Sequence, residues 1–315
     1  MLELFDLLRD KKRQYNVASC LLLTGESGSG KSAIAKHYLE KNPIVEEKDR
    51  KHIPVLHYEL RTISTPQEFI RSLLIAVGDP QQGQNARNYS TLYDRLLVLL
   101  KVTGVELLIL DEVQVIIERR SAKVVTGIAD LFKDLIKDTQ IPIVFMGMPW
   151  SSHLVDSNQQ LKGRISYRFS IPPYRISSKP FRDDYRRLLM MLSNAYEFDK
   201  KIALEETSIS LRIFCATSGN LRATANLFRD ALIMSEMKNI SVDLNLLSEV
   251  MELYGVPPEE NPFLLDLEKL ELRELVTHSS WNFGSKANKN SIIEAGYVVY
   301  GITKDNRVFL LTSAA

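Results

Sequence analysis

One stretch constrains this chain more than any other: Gly25-Glu26-Ser27-Gly28-Ser29-Gly30-Lys31-Ser32. It has the spacing G-x-x-x-x-G-K-[ST], with an apolar run ending at Leu23 before it and a helical pattern after it. Glycines let successive backbone N–H groups close around an anion where a Cβ would obstruct the turn. The positive end of the following helix faces the same anion. In that frame Lys31 reaches the β- and γ-phosphates of a nucleoside triphosphate, and the Ser32 hydroxyl is a Mg²⁺ ligand. All eight residues, Gly25, Glu26, Ser27, Gly28, Ser29, Gly30, Lys31 and Ser32, are therefore expected to hold the nucleotide.

A strand–loop–helix of this kind belongs in an α/β sheet, and the rest of the first half follows suit. Apolar runs at 19–23, 53–60, 105–110, 141–146 and 167–171 alternate with helical patterns at 32–39, 66–76, 91–102 and 124–137. Buried apolar runs alternating with helices indicate a parallel sheet covered on both faces. The expectation is a doubly wound, five-stranded α/β domain over residues 1–174. An amphipathic helix opens it, with Arg9, Lys11, Lys12 and Arg13 at its end. After Pro172-Pro173 only helical patterns remain, at 180–196, 209–218, 221–237 and 244–254, giving a small helical lid domain over 175–255. The run Val256-Pro257-Pro258 to Pro262 reads as a linker. Residues 256–315 form a C-terminal extension with a charged helix at 265–275 and strands at 296–302 and 307–312. A turn at Asp305-Asn306 joins those strands, as a hairpin or as an arm for a partner.

Forty basic and 39 acidic side chains leave a net charge of +1 across 315 residues, so any nucleic-acid surface has to be local. Cys20 and Cys215 are too few and too far apart for a disulfide framework. No apolar run reaches the length of a membrane span and the N-terminus lacks a signal-peptide pattern, so a cytoplasmic location with no membrane partner is expected.

Leu107-Leu108-Ile109-Leu110-Asp111-Glu112 puts two carboxylates at the tip of a buried strand, where α/β sheets bind ligands. About 80 residues downstream of a phosphate loop, this pairing points to hydrolysis. Asp111 is expected to hold Mg²⁺, and Glu112 to polarise the attacking water. Gln114 reads either as a contact to the γ-phosphate or as a cap for the next helix. Arg164 and Arg168, before and within the last strand of the sheet, fit two descriptions. Each is a surface arginine paired with an acid, or a finger reaching a neighbouring subunit's γ-phosphate. Arg222, at the start of a lid helix, is a phosphate sensor or an exposed helix residue.

These features together resemble AAA+ ATPases, and among them the bacterial transposition regulators of the TniB/TnsC type that serve Tn-seven-like or CRISPR-associated transposons. The likeness is carried by the phosphate loop and by Leu73-Leu74-Ile75-Ala76-Val77-Gly78-Asp79-Pro80. It continues in Val105 through Gln114, in Ile141-Pro142-Ile143-Val144-Phe145-Met146-Gly147, and in Gln160-Leu161 followed by Arg164. It implies ATP and Mg²⁺ as cofactors, Arg164 as the finger acting in trans and Arg222 as the lid sensor. It also implies a homo-oligomer, as a ring or helical filament on double-stranded DNA, that marks a target site. Such an assembly recruits transposase subunits and a target-selection protein of the TniQ type. For DNA contacts, Arg119, Arg120 and Lys123 are the first candidates, with Lys101 and Thr103 second; solvated basic turns are the competing description. The likeness departs at Met146-Gly147-Met148-Pro149, where the family usually has a polar residue that senses the γ-phosphate. Either Gln114 or Ser151 takes its place, or turnover is slow. Two other functions fit the same motifs: an AAA+ protein of another DNA process, such as a replication initiator or helicase loader, and a nucleotide-gated scaffold that does not bind DNA. A small-molecule kinase has little use for Glu112 or a helical lid.

Overall fold

The computed structural model describes residues 1–46, 48, 51–61, 65–84, 88–118, 121–196, 202–277 and 296–312. They fall into two units. The first holds residues 1–26 and 30–171, and the second holds residues 27–29 and the described residues from 172 onward.

In the first unit the strands are β1 (Cys20–Gly25), β2 (Val55–Glu59), β3 (Leu107–Asp111), β4 (Ile143–Gly147) and β5 (Ile165–Ile171). Their order across the sheet is β2-β3-β4-β1-β5, and every neighbouring pair is parallel. Strands β1, β3 and β4 are buried at every position, which requires cover on both faces. Two sets of helices supply it: α1 (Leu2–Tyr15) and α2 (Lys31–Lys41) on one face, α3 (Pro66–Val77), α4 (Tyr89–Val102) and α6 (Ala122–Thr139) on the other. A short α5 (Gln114–Glu118) lies between β3 and α6.

Side chains divide between the faces with the two-residue period of a strand. Leu21 and Leu23 pack with Phe5, Ala35, Tyr38, Ile109, Val144 and Met146. Cys20 and Leu22 pack with Phe69, Leu96, Leu108, Phe132 and Phe145. Local chemistry sets where the helices begin. The Thr65 hydroxyl accepts from Glu68 N (3.1 Å) ahead of Pro66, and Asn88 Oδ1 accepts from Thr91 N (2.8 Å). After α3, the Asp79 carboxylate accepts from Gly83 N at 2.7 Å and pairs with Arg95. Asp79 thus anchors the turn after α3 to Gly83 and Arg95.

The second unit contains α9 (Lys179–Ala195), α10 (Thr207–Thr217), α11 (Leu221–Lys238) and α12 (Leu244–Leu253); α7 (Ser152–Asp156) and α8 (Gln159–Lys162) precede β5 in the first unit. Its chain ends in an antiparallel sheet of β6 (Leu272–Thr277), β7 (Gly296–Ile302) and β8 (Val308–Thr312), ordered β8-β7-β6. The helix expected at 265–275 is corrected here. Only Leu267–Lys269 turns, as a 3-10 segment, and β6 follows. The reason is a two-residue alternation hidden by the charged residues. Leu272 and Glu274 are buried and Arg273 is exposed, in register with Tyr300, Val298 and Val299. Leu270, Leu272 and Ile302 share one apolar core with Tyr185, Phe214, Phe228 and Leu247, so the terminal sheet and the helices pack as one body. The expected turn at Asp305-Asn306 is present, with Asn306 at φ 59° and Thr303 N donating to Arg307 O at 2.9 Å.

Glu274 is 1% exposed, and its carboxylate accepts from Arg175 Nε (2.7 Å), Ile176 N (2.9 Å), Ser177 N (2.9 Å) and Ser177 Oγ (3.0 Å). Glu274→Ala leaves two backbone N–H groups without an acceptor and is expected to destabilise this unit by about 2–4 kcal/mol. Chemical denaturation checks this. A loss under 0.5 kcal/mol, the scatter typical of surface substitutions, would show that water replaces the carboxylate.

Candidate functional site

Strand β1 ends at Gly25 and α2 starts at Lys31, so the sequence-predicted loop spans the C-terminal edge of the sheet. Gly30, with φ 94°, caps α2 in a conformation that favours glycine. Lys31 is 6% exposed, and its ammonium group donates to Gly25 O (2.7 Å) and Glu26 O (3.0 Å), folded over the loop. The Ser32 hydroxyl donates to Asp111 Oδ2 at 2.6 Å, and Asp111 is buried at the tip of β3. This contact joins two hard oxygen donors, 79 residues apart in sequence. Such a pair suits Mg²⁺, which takes few protein oxygens and completes its shell with phosphate oxygens and water.

Glu112 follows in a left-handed conformation, φ 60°, which is costly for a non-glycine residue. Neighbours hold it there. Glu112 N donates to Asp111 Oδ1 at 2.8 Å, and Val113 N donates to Met146 O at 3.0 Å. The chain therefore turns sharply at the strand tip and returns toward β4. Gln114 Nε2 donates to Glu112 Oε2, while Gln114 Oε1 accepts from Met148 N at 3.1 Å. A β-carbon on Gly147 would overlap both Gln114 Oε1 and Ser151 Oγ. Gln114 and Ser151 thus fill the space beside the strand tip that lacks a polar side chain of its own. Ser151 is fully buried, and its hydroxyl finds no hydrogen-bond partner among the described residues.

Residues Ser27–Ser29 count with the second unit. There Asn220 Nδ2 donates to Ser27 O (2.8 Å), Arg222 Nη1 to Ser27 Oγ (3.2 Å) and Arg222 N to Gly28 O (3.1 Å). Gly28 has φ 79°, and a β-carbon there would overlap Asn220 and Arg222.

The remaining expected residues divide. Arg164 stands just before β5, beside the start of β1, with Cys20 N donating to Arg164 O at 3.1 Å. That is the opposite end of the sheet from the phosphate loop. Arg164 Nε is buried and finds no hydrogen-bond partner among the described residues. Arg168 is spoken for: its guanidinium makes a two-point pair with Asp156 at 2.8 and 3.2 Å. Thr103 is corrected as a DNA contact, because it is buried and its hydroxyl donates to Leu99 O (2.7 Å), closing α4. Lys101 and Lys123 are exposed but lie at opposite ends of the sheet, one closing α4 and one opening α6. Arg119 and Arg120 lie outside the described residues.

Lys101 lines a cavity of about 680 Å³ beneath the N-terminal strand ends, with Lys12, Arg13, His52 and Glu106. Burial lowers the Lys12 ammonium to about 8 there, and Glu106 bonds both Arg9 and Arg13. Burial also pushes the Cys20 thiol up to about 12 and Cys215 up to about 11, so neither is a ready nucleophile. No helix among the described residues is long and apolar enough to cross a membrane.

Sequence reasoning missed the left-handed backbone at Glu112 and the crowding around Gly147. The signal for the latter was a glycine at the end of a buried strand, a mark of close approach by another group.

Comparison with known proteins gives a consistent placement. No protein of curated function matches the sequence. Among solved structures the chain resembles the ORC2 protein of Aeropyrum pernix, in ADPNP and ADP complexes, with a TM-score of 0.57 and 14% identity over 79% of this chain and 66% of that one. It also resembles the Aeropyrum pernix ORC1 protein, solved in complex with DNA, with a TM-score of 0.54 and 17% identity over 80% of this chain and 64% of that one. CDC6p of Pyrobaculum aerophilum gives a TM-score of 0.54 and 14% identity, covering 82% of this chain and 68% of that one. The chain thus spans a little under two thirds of the two Aeropyrum proteins, and at these identities the likeness speaks for the fold alone: that of a P-loop AAA+ ATPase. The family model for the bacterial TniB protein matches residues 1–175, more than half of the chain, and the protein belongs to that transposition-associated TniB family.

Proposed function

We propose that this protein is an ATP-dependent transposition regulator. It hydrolyses ATP to ADP and phosphate, oligomerises as a ring or helical filament on double-stranded DNA, marks the target site, and recruits transposase subunits and a target-selection protein of the TniQ type. The observation that carries the reading is the Ser32–Asp111 contact with Glu112 beside it, in a chain whose first 175 residues match the TniB family.

The roles follow from chemistry. Backbone N–H groups of Gly25 through Ser32 bind the phosphates, with the Lys31 ammonium leaving its carbonyl partners for the β- and γ-oxygens. Ser32 and Asp111 would hold Mg²⁺, which when bound would supply charge neutralisation to the phosphates. Glu112 takes a proton from the attacking water. Arg222 contacts the phosphates from the lid, and Arg164 serves a neighbouring subunit. ATP held between subunits strengthens their association, since a ligand that favours one state stabilises it. DNA contacts go to the phosphate backbone and not to base edges, with Lys123, Arg119, Arg120 and Lys101 as candidates.

The test is particle mass in solution with duplex DNA and a non-hydrolysable ATP analogue. Large assemblies are expected that require both DNA and nucleotide and weaken as salt rises. Assemblies that form with nucleotide but ignore DNA would favour a protein-only scaffold. Only single chains under all conditions would defeat the reading. Lys31→Ala removes a charge-assisted contact and is expected to weaken ATP binding about 10–100-fold, with assembly lost in parallel. Wild-type affinity in a nucleotide titration of that variant would contradict the role given to Lys31.

A further inference from the structure

Three side chains meet where the polar residue of the fourth strand is missing: Glu112, Gln114 and Ser151. Gln114 is 5% exposed and uses both ends of its amide, with Nε2 donating to Glu112 Oε2 and Oε1 accepting from Met148 N. One planar group therefore ties the Glu112 carboxylate to the backbone just past β4. A carboxylate held by one oxygen keeps its other oxygen for a second proton donor. The left-handed backbone at Glu112 adds a reason to need such a tether, because a strained turn persists only where its surroundings over-determine it. The crowding at Gly147 shows how closely the device is fitted. A larger residue there would overlap both the Ser151 hydroxyl and the amide.

We propose that Gln114 is a positioning residue for Glu112: its side-chain amide fixes the carboxylate that activates water, and so supplies from α5 the polar group that the tip of β4 lacks. Gln114 acts through Glu112 and need not touch the nucleotide. The buried Ser151 hydroxyl, with no partner among the described residues, packs beside the same amide against Gly147. The inference rests on the ATPase reading.

The test uses Gln114→Met, which keeps length and packing volume but removes both hydrogen bonds, in the full-length protein with DNA. Turnover is expected to fall about tenfold or more, a share of what a general base contributes, with KM and the affinity for a fluorescent ATP analogue within about threefold of wild type. Gln114→Glu sets a second negative charge against Glu112 and is expected to fall at least as far. Thermal unfolding separates a structural role: parallel loss of stability and nucleotide affinity would overturn the proposal, as would unchanged kcat in Gln114→Met. In a Glu112→Gln background the Gln114→Met change is expected to cost nothing more, since its effect runs through that carboxylate. An additive further loss there would overturn it too. If the wild-type protein itself turns over no ATP, the ATPase reading fails; if it does and Gln114→Met matches it, only this inference fails.

Discussion

Glu112→Gln is expected to slow ATP turnover about 10³-fold while ATP affinity stays within about threefold, because the change removes a base and keeps the shape. The structure makes the substitution conservative in every respect but one. A glutamine at 112 retains an oxygen that accepts from Gln114 Nε2, and its backbone N–H still donates to Asp111 Oδ1. The Ser32–Asp111 contact is untouched. What disappears is an atom able to take a proton. Because ATP held between subunits is proposed to strengthen their association, a variant that keeps its ATP is also expected to hold oligomers on duplex DNA far longer than wild type. Single-turnover hydrolysis and DNA dissociation after dilution measure the two effects separately. Undiminished hydrolysis would remove Glu112 from the chemistry. Slow hydrolysis with dissociation as fast as wild type would uncouple hydrolysis from release.

The parts of the fold that were legible in the sequence are those where one physical signal dominates. Strands β3 and β4 are buried on both faces, so their apolar runs stood out without competition from charged positions. The phosphate loop was legible because its glycines answer a steric demand, and Gly28 and Gly30 indeed sit at φ 79° and 94°. Where two signals compete, the reading failed. Leu265 to Leu275 has helical composition, yet pairing with β7 and the four hydrogen bonds on Glu274 draw it into a sheet. Tertiary context decided that segment. Thr103, a second-rank candidate for a DNA contact, is instead buried at a helix end, where its hydroxyl donates to Leu99 O. The geometry around Glu112 was beyond sequence altogether. Nothing in Asp-Glu-Val-Gln announces a positive φ, which arises because Val113 must reach Met146 O while Asp111 stays at the strand tip.

Arg164→Ala is expected to lower ATP turnover measured with duplex DNA present by about 10³-fold or more, the scale of an arginine supplied to a phosphoryl-transfer site. Sheet geometry gives the reason to look for this effect between subunits. Cys20 is paired with Ile165 and Gly25 with Ile171, so β1 and β5 run side by side from the same end. Arg164 therefore stands near the start of β1, about 17 Å along the strand from the phosphate loop at a rise of about 3.3–3.4 Å per residue. An arginine there is badly placed for its own loop. Arg164 Nε has no hydrogen-bond partner among the described residues, whereas Arg168 has its donors engaged by Asp156. Arg168→Ala is accordingly expected to stay within about twofold of wild type, as an exposed pair contributes little. Mixing gives the decisive measurement. Lys31→Ala subunits retain Arg164 but bind nucleotide poorly, and Arg164→Ala subunits bind nucleotide but lack the arginine. Each is expected to be nearly inactive alone, yet a mixture creates junctions that combine an intact loop with an intact arginine. Partial recovery of turnover on mixing is the expected result. A mixture no more active than its parts, with assembly on DNA intact, would show that Arg164 serves only the chain that carries it.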